Sequence, residues 1–362
     1  MAGGRGERFW PQSRISHPKQ LLKLVGDCTL LEQTVNRLGK EILIPSENIL
    51  ILTNKNYVST MQSLLKNIPN ENIIGEIANK DTAPCIALAT AIIKKRTKNF
   101  DDAVMVVLPA DQVTNDHKSL QESLKDAIEI TRNNKQMVTI GVKPTFPSTG
   151  YGYINCDHNN KLRLKSEINL KNDYAQGVKF IEKPNLKTAE EYIKSKNYRW
   201  NSGIFIWSLP TIEGKFAQFT PQLKLFIDLI VNDKNCTLNM IDDYYQELNK
   251  ISIDYAIMEN IDQFIVLECS FDWDDVGSWT SLENQLTPDA DNNYVIGCNE
   301  SLNSNNNIII SNDNHLVSAI GIKDTVIVHT NDATLVCSKD SAQMVKDLVQ
   351  KLSNNDKMKK FL

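Results

Sequence analysis

Between Thr29 and Val142 the chain alternates short apolar runs with stretches of helical period, and this alternation restricts the fold more than any other feature. Residues 49–53, 104–108 and 137–142 are short and almost uniformly apolar, so they read as buried strands. Helical patterns lie between and before them. Thr29-Leu30-Leu31-Glu32 has the form of a capping box, with Leu31, Val35 and Leu38 following on one face. Pro84 stands near the start of a second helix whose apolar side includes Leu88, Ile92 and Ile93, and Leu120, Leu124, Ala127 and Ile128 mark a third. Strands separated by helices of this length predict an α/β domain with a parallel sheet and helices on both faces. Ligands of such sheets bind beyond the carboxyl ends of the strands, and Pro109-Ala110-Asp111 follows the second strand at that point.

From Gly150 to Leu286 the pattern is mixed. Residues 151–154, 178–181 and 203–207 read as strands, and Thr188-Ala189-Glu190-Glu191 opens another capped helix. Residues 286–306 turn to Asn, Asp and Ser, which reads as a boundary region. Beyond it come short β-rich runs at 308–310, 316–320, 326–329 and 335–337. A helix with Met344, Val345, Leu348 and Leu352 on one side closes them. The expected division is a large α/β domain over 1–286 and a small β-rich domain over 287–362. No repeat is regular enough for a long solenoid.

Charge narrows the function. A net charge of −4 argues against a general nucleic-acid binder, and no apolar run is long enough to span a bilayer. Seven scattered cysteines, odd in number and without a C-x-x-C pair, suit reduced thiols in the cytoplasm, and the five histidines show no metal-ligand spacing. The opening residues run against the overall charge: within 1–23, Arg5, Arg8, Arg14, Lys19 and Lys23 face only Glu7. Among them, Gly3-Gly4-Arg5-Gly6 lets backbone N–H groups turn toward an anion without Cβ obstruction, a phosphate cradle. No Gly-Lys-Ser/Thr follows, so it is not a P-loop of the Walker kind.

The continuation makes the pattern specific. Gly3-Gly4-Arg5-Gly6-Glu7-Arg8, Pro11 and then Pro18-Lys19 resemble the opening signature of the sugar-phosphate nucleotidyltransferases. The form Arg8-Phe9-Trp10-Pro11, Ser13-Arg14 and Pro18-Lys19-Gln20 is similar to their mannose-1-phosphate guanylyltransferase branch. Further matches follow in order: Asp81 to Pro84, Leu108 to Asp111, Phe180 to Pro184, Trp200 to Gly203, Ile253 to Tyr255 and Trp273 to Trp279. The resemblance implies an α/β, Rossmann-like, GT-A-like fold, a mixed, mainly parallel sheet flanked by helices, with a short left-handed β-helix-like tail. It also implies transfer of GMP from GTP to mannose 1-phosphate; the β-rich tail offers a dimer surface, so a homodimer is expected. By the same resemblance Arg8 and Lys19 hold the triphosphate with Gly3, Gly4 and Gly6, Asp111 and Asp275 share Mg²⁺, and Thr82, Ala83 and Pro84 lie by the base. Lys183 holds the sugar phosphate, Glu182 and Asn201 bond hexose hydroxyls, and Gly152 lets the backbone approach the sugar.

Chemistry supports such a set. Two polyanions must meet, and one pair of unit charges ~4 Å apart repels by about 4 kcal/mol at an effective dielectric of ~20. That is roughly a thousandfold in rate, so positioning and charge neutralisation are the main tasks and no covalent nucleophile is required. Each piece alone has an ordinary reading: Asp111 as a cap, Asp274-Asp275 as a solvated turn, Glu182-Lys183 as a surface ion pair, Trp200 and Trp207 as core.

Two departures from the family pattern stand out. No apolar strand precedes the glycine loop, which predicts a natural product beginning upstream of Met1. Asn79-Lys80-Asp81 also replaces the usual Arg-Asn, which leaves another base or hexose open. A catalytically silent sugar-nucleotide sensor or partner subunit is the alternative from a different class. The length leaves no room for the isomerase domain of some longer relatives.

Overall fold

The computed structural model describes residues 1–38, 44–159, 164, 169–312 and 314–362. They form two compact units, neither continuous in sequence. One holds Met1, Arg37–Pro109 and Thr114–Trp273; the other holds Ala2–Asn36, Ala110–Val113 and Asp274–Leu362. Packing therefore groups residues 2–36 with the C-terminal residues, a division that a single cut at residue 286 does not show. Among the described residues no helix is long and apolar enough to cross a membrane.

The first unit is α/β. Its strands are β1 (Ile51–Asn54), β2 (Ile73–Glu76), β3 (Val104–Val107), β4 (Val138–Val142), β5 (Tyr153–Asp157), β6 (Tyr174–Ile181), β7 (Tyr198–Ser208) and β8 (Phe264–Glu268). β1 and β2 pair in parallel, and the other six form one sheet in the order β3-β7-β4-β8-β6-β5. The expected common direction holds for β3, β4, β5 and β8, but β6 and β7 run against them. Because β7 lies between β3 and β4, and β6 between β8 and β5, β4–β8 is the one parallel ladder of this sheet among the described residues. The sheet is mixed as expected, with ladders mostly antiparallel; such neighbours need no long crossover.

The sequence predicts that the helix Thr82–Arg96 buries one face. Instead Ala83 to Ala91 is buried on every side, because the helix Pro221–Asn232 packs on it as well. The helices Leu209–Phe219 and Leu238–Gln246 flank that one in sequence. The helix Leu186–Ser195 is capped by Asn185, whose side chain accepts from Thr188 N–H, rather than by Thr188 itself. Trp200 and Trp207 are core residues, 4% and 0% exposed.

In the second unit Thr29 makes the reciprocal bonds of a capping box: its N–H donates to the Glu32 carboxylate at 2.8 Å, and Glu32 N–H donates to its hydroxyl at 3.2 Å. The C-terminal strands are β9 (Tyr294–Ile296), β10 (Asn299–Leu302), β11 (Ile308–Ile310), β12 (Val317–Ile320), β13 (Thr325–His329) and β14 (Thr334–Ser338). β9, β11 and β13 stack in parallel, as do β10 and β12, so successive turns of chain lie rung on rung; β14 closes the stack antiparallel. The helix Val345–Ser353 then packs through Val345, Leu348, Val349 and Leu352, while Met344, expected on that side, is 61% exposed.

Residues 286–306, read as a boundary, contain β9 and β10. The asparagines beside them are structural. Asn307 is wholly buried; its backbone and side-chain N–H groups both donate to Asn293 Oδ1, at 3.0 and 2.9 Å, and its own Oδ1 accepts from Thr325 N–H at 3.0 Å. One asparagine thus satisfies the next rung. Replacing Asn307 with Ala strands Thr325 N–H and leaves the Asn293 carboxamide short of a donor. Urea unfolding should show a loss of about 3 kcal/mol, since each buried unpaired group costs about 1–3 kcal/mol; an unchanged midpoint contradicts the ladder.

Candidate active site

The glycine-rich opening is a turn locked onto Lys19. Gly6 has φ 67°, the left-handed region, and begins a short 3₁₀ turn over Glu7–Phe9. A Cβ on Gly6 would lie 2.1 Å from Lys19 Cβ, so only glycine admits the lysine against the turn. Lys19 N–H also donates to Arg5 O at 3.2 Å, and the Ser13 hydroxyl donates to Gly6 O at 2.8 Å. Gly4 meets no such neighbour. Arg5 is exposed and Arg8 lies at the surface, and among the described residues neither forms an ion pair.

Lys19 itself is 5% exposed. Burying an ammonium is costly unless it is paired. Its Nζ donates to Asp111 Oδ2 at 3.0 Å and to the backbone carbonyl of Asp275 at 2.8 Å. The segments carrying these aspartates are joined nearby, where Val113 and Asp274 exchange backbone bonds of 2.9 and 3.1 Å. Asp274, the neighbour of Asp275, is consumed by structure. Its Oδ1 accepts from Val276 N–H at 2.7 Å, and its Oδ2 accepts from the Asn284 and Gln285 amides. Val276 is held at φ 45°, an uncommon backbone for a β-branched residue.

Desolvation raises the pKa of Asp275. Lys19 and Arg8 pull it down, while the charges of Asp111 and Asp274 push it up. Two carboxylates are therefore held within each other's field with a lysine on one of them. Hard oxygen donors in that number suit Mg²⁺, which takes one or two carboxylates and completes its shell with water and phosphate. Among the described residues no cluster of three or more His, Cys, Asp or Glu could hold a metal.

In the first unit a second set gathers around Glu182. A Cβ on Gly152 would lie 2.6 Å from Glu182 Oε2, so the missing side chain makes room for a carboxylate, a closer constraint than the approach to sugar expected from sequence. Gly152 O accepts from Asn201 N–H at 2.8 Å, which ties β7 to the same place. Lys183, at φ 45°, donates to Glu182 Oε1 at 2.6 Å. Desolvation pulls the Lys183 pKa down, but the bond to Glu182 and the charges of Glu182 and Asp254 outweigh it and the net shift is upward.

Asp254 belongs to this set, and sequence reasoning carries it only as part of a motif. The Asn201 side-chain amide donates to it at 3.2 Å. Burial first, then the charge of Glu182, raises its pKa to about 7. The segment 82–84 lies in the same unit. Asp81, at φ 72°, caps the helix by accepting from Thr82 N–H, and the Thr82 hydroxyl accepts from Ile253 N–H at 2.7 Å. Ala83 and Pro84 are buried, so they shape the helix start from beneath. Lys80 donates to Gln246 O.

The nucleotidyl transferase family model matches residues 1–292, and a model described as a mannose-phosphate isomerase/GMP-like β-helix domain matches 299–352. The chain belongs to the nucleotidyl transferase family. Within it, this nucleotidyl transferase is 34% identical to a mannose-1-phosphate guanylyltransferase of Escherichia coli, across 97% of this chain and 74% of the relative. It is 35% identical to a mannose-1-phosphate guanylyltransferase of Salmonella typhimurium, across 99% and 72%. Among solved structures, one described as a mannose-1-phosphate geranyltransferase from Thermus thermophilus superposes with a TM-score of 0.84 at 31% identity, covering 98% of both chains.

The turn at Gly6 makes a direct test. Gly6→Ala must displace Lys19 or strain the backbone, and should cost about 2 kcal/mol of stability together with weaker nucleotide binding. Thermal unfolding and equilibrium nucleotide binding measure both; wild-type values in each contradict the packing described.

Proposed function

We propose that this nucleotidyl transferase makes GDP-mannose and pyrophosphate from GTP and mannose 1-phosphate. The observation that carries the reading is Lys19, buried and bonded to Asp111 Oδ2 and to the Asp275 carbonyl, beside a glycine turn that carries Arg8. Such a constellation neutralises polyanions, which is the main catalytic task when two phosphates react.

In this reading the N–H groups of Gly3, Gly4 and Gly6 and the side chains of Arg8 and Lys19 hold the triphosphate. Asp111 and Asp275 hold Mg²⁺, which would supply charge neutralisation at the phosphoryl oxygens. Lys183 holds the hexose phosphate. Glu182 and Asn201 bond hexose hydroxyls, with Gly152 making space, and Thr82, Ala83 and Pro84 form the wall by the base. Every group needed is a binder or a charge, so the attacking oxygen comes from the sugar phosphate and pyrophosphate leaves. Residues 1–286 carry catalysis in this account and 287–362 form the accessory β domain of a cytoplasmic homodimer. The odd, scattered cysteines support the compartment.

A second reading, the same transfer from a different nucleoside triphosphate, is favoured by Asn79-Lys80-Asp81. Lys80 is turned to the Gln246 carbonyl and Asp81 to the Thr82 N–H, so both side chains are engaged by the protein rather than offered to a base.

A panel of triphosphates and hexose 1-phosphates with pyrophosphate detection separates these. GTP with mannose 1-phosphate should give the highest kcat/KM, and removal of divalent cation with EDTA should lower the rate by a factor on the order of 10² or more. A signal from another triphosphate alone moves the assignment to the second reading. No turnover with tight GDP-mannose binding would make the chain a sensor. Sedimentation at micromolar concentration tests the dimer, which a single monomeric species would refute.

A further inference from the structure

Asn201 is held at both ends of its side chain. Its Oδ1 accepts from Gly203 N–H at 3.0 Å. A backbone N–H only donates, so the oxygen must face it, and the amide cannot flip without losing that bond. Its Nδ2 therefore points to Asp254, donating one hydrogen to Oδ1 at 3.2 Å. An amide nitrogen carries two hydrogens, which leaves one for a ligand oxygen.

Asp254 is fixed in turn. It sits in the short helix Ile253–Ala256, which Ser252 caps and whose Ile253 N–H donates to Thr82 Oγ1. We propose that Asp254 is a positioning residue for hexose recognition, acting through Asn201: it anchors one N–H of the amide so that the other is presented to a sugar hydroxyl. This rests on the reading of the chain as a hexose 1-phosphate nucleotidyltransferase.

The charges around Asp254 give the device a pH dependence. Glu182 and Lys183 face it from the end of β6, Asp81 from the start of the helix Thr82–Arg96, and Tyr255 adjoins it in sequence. Burial raises its pKa to about 7, the Glu182 and Asp81 charges act in the same direction, and Lys183 opposes them. Below that point the carboxyl is protonated and Glu182 carries the negative charge beside it. Above it, two adjacent carboxylates are ionised, and a sugar phosphate, itself anionic, meets more repulsion. The KM for the sugar phosphate should therefore rise as pH passes upward through about 7, while the KM for the triphosphate stays flat.

The test uses the full chain and three variants: Asp254→Asn, Asp254→Ala and Asn201→Ala. Steady-state kinetics should show that Asp254→Ala raises the KM for mannose 1-phosphate by about tenfold, with the KM for GTP within about twofold. Asp254→Asn, which can still accept the amide hydrogen, should keep the KM low and abolish its rise above neutral pH. Equal increases in both KM values, or no change in either, overturn the proposal.

A second measurement does not depend on the assigned substrate. In the ligand-free protein, the side-chain amide signals assigned to Asn201 by their loss in Asn201→Ala should titrate near neutrality in ¹⁵N-correlated spectra. They should stop titrating in Asp254→Asn. If they titrate as described while mannose 1-phosphate is not a substrate, the positioning of the amide stands and the functional reading fails. Signals indifferent to both pH and the Asp254 substitution overturn the positioning itself.

Discussion

One buried ammonium organises the charged chemistry of the second unit. Lys19 is removed from water, so its positive charge must be answered within the protein, and the answer comes from Asp111 and from the carbonyl of Asp275. Only the lysine end of this pair is buried, since the Asp111 side chain is 37% exposed, so water answers part of the aspartate's charge while the ammonium depends on its protein partners. Gly6 is glycine because Lys19 occupies the space of its Cβ. Asp274 holds the turn beyond Asp275, and the Val113–Asp274 bridge fixes how far apart the two acidic segments are. The glycine loop, the lysine and the aspartates are separate motifs in sequence but one mechanical unit in the fold.

Among the described residues nine non-glycine positions have positive φ, and three of them lie beside candidate site residues. Asp81, Lys183 and Val276 all have positive φ without being glycine. Each adjoins a residue given a binding role: Thr82, Glu182 and Asp275. A backbone in this region costs about 1–3 kcal/mol and persists only when neighbouring bonds impose it. At Val276 the imposing bond is the Asp274 carboxylate, and at Asp81 it is the cap to Thr82. The other six lie at helix ends and in turns away from both sets, so a positive φ does not by itself mark a functional residue.

Much of this is legible in the sequence. The capping box at Thr29 and Glu32, the strands β1, β3 and β4, and the β-rich tail follow from local periodicity, which needs no partner to be read. The pairing order does not, because β7 inserts between β3 and β4 through contacts far apart in sequence. The helices at 209–246 escape the periodicity although Ser208 before Leu209-Pro210 and Thr220 before Pro221 are start signals; their apolar content blends with neighbouring strands. The Asn-rich stretch misleads for a physical reason: asparagine is a turn residue in isolation, and only stacking of rungs turns Asn293 and Asn307 into a buried ladder. Among site residues, Gly6, Lys19, Asp111 and Asp275 come together, as do Gly152, Glu182, Lys183 and Asn201. Asp254 stands out only once burial and the nearby Glu182 are visible.

The central claim is that Asp111 and Asp275 serve one cation, so occupancy is the direct measurement. Mn²⁺ binding followed by electron paramagnetic resonance, with GTP present, should show an ion whose affinity falls by about tenfold or more in Asp111→Asn and again in Asp275→Asn, with the double substitution losing far less than the product of the two. Losses that simply multiply, or full affinity retained in either single variant, would mean that the aspartates do not share a cation.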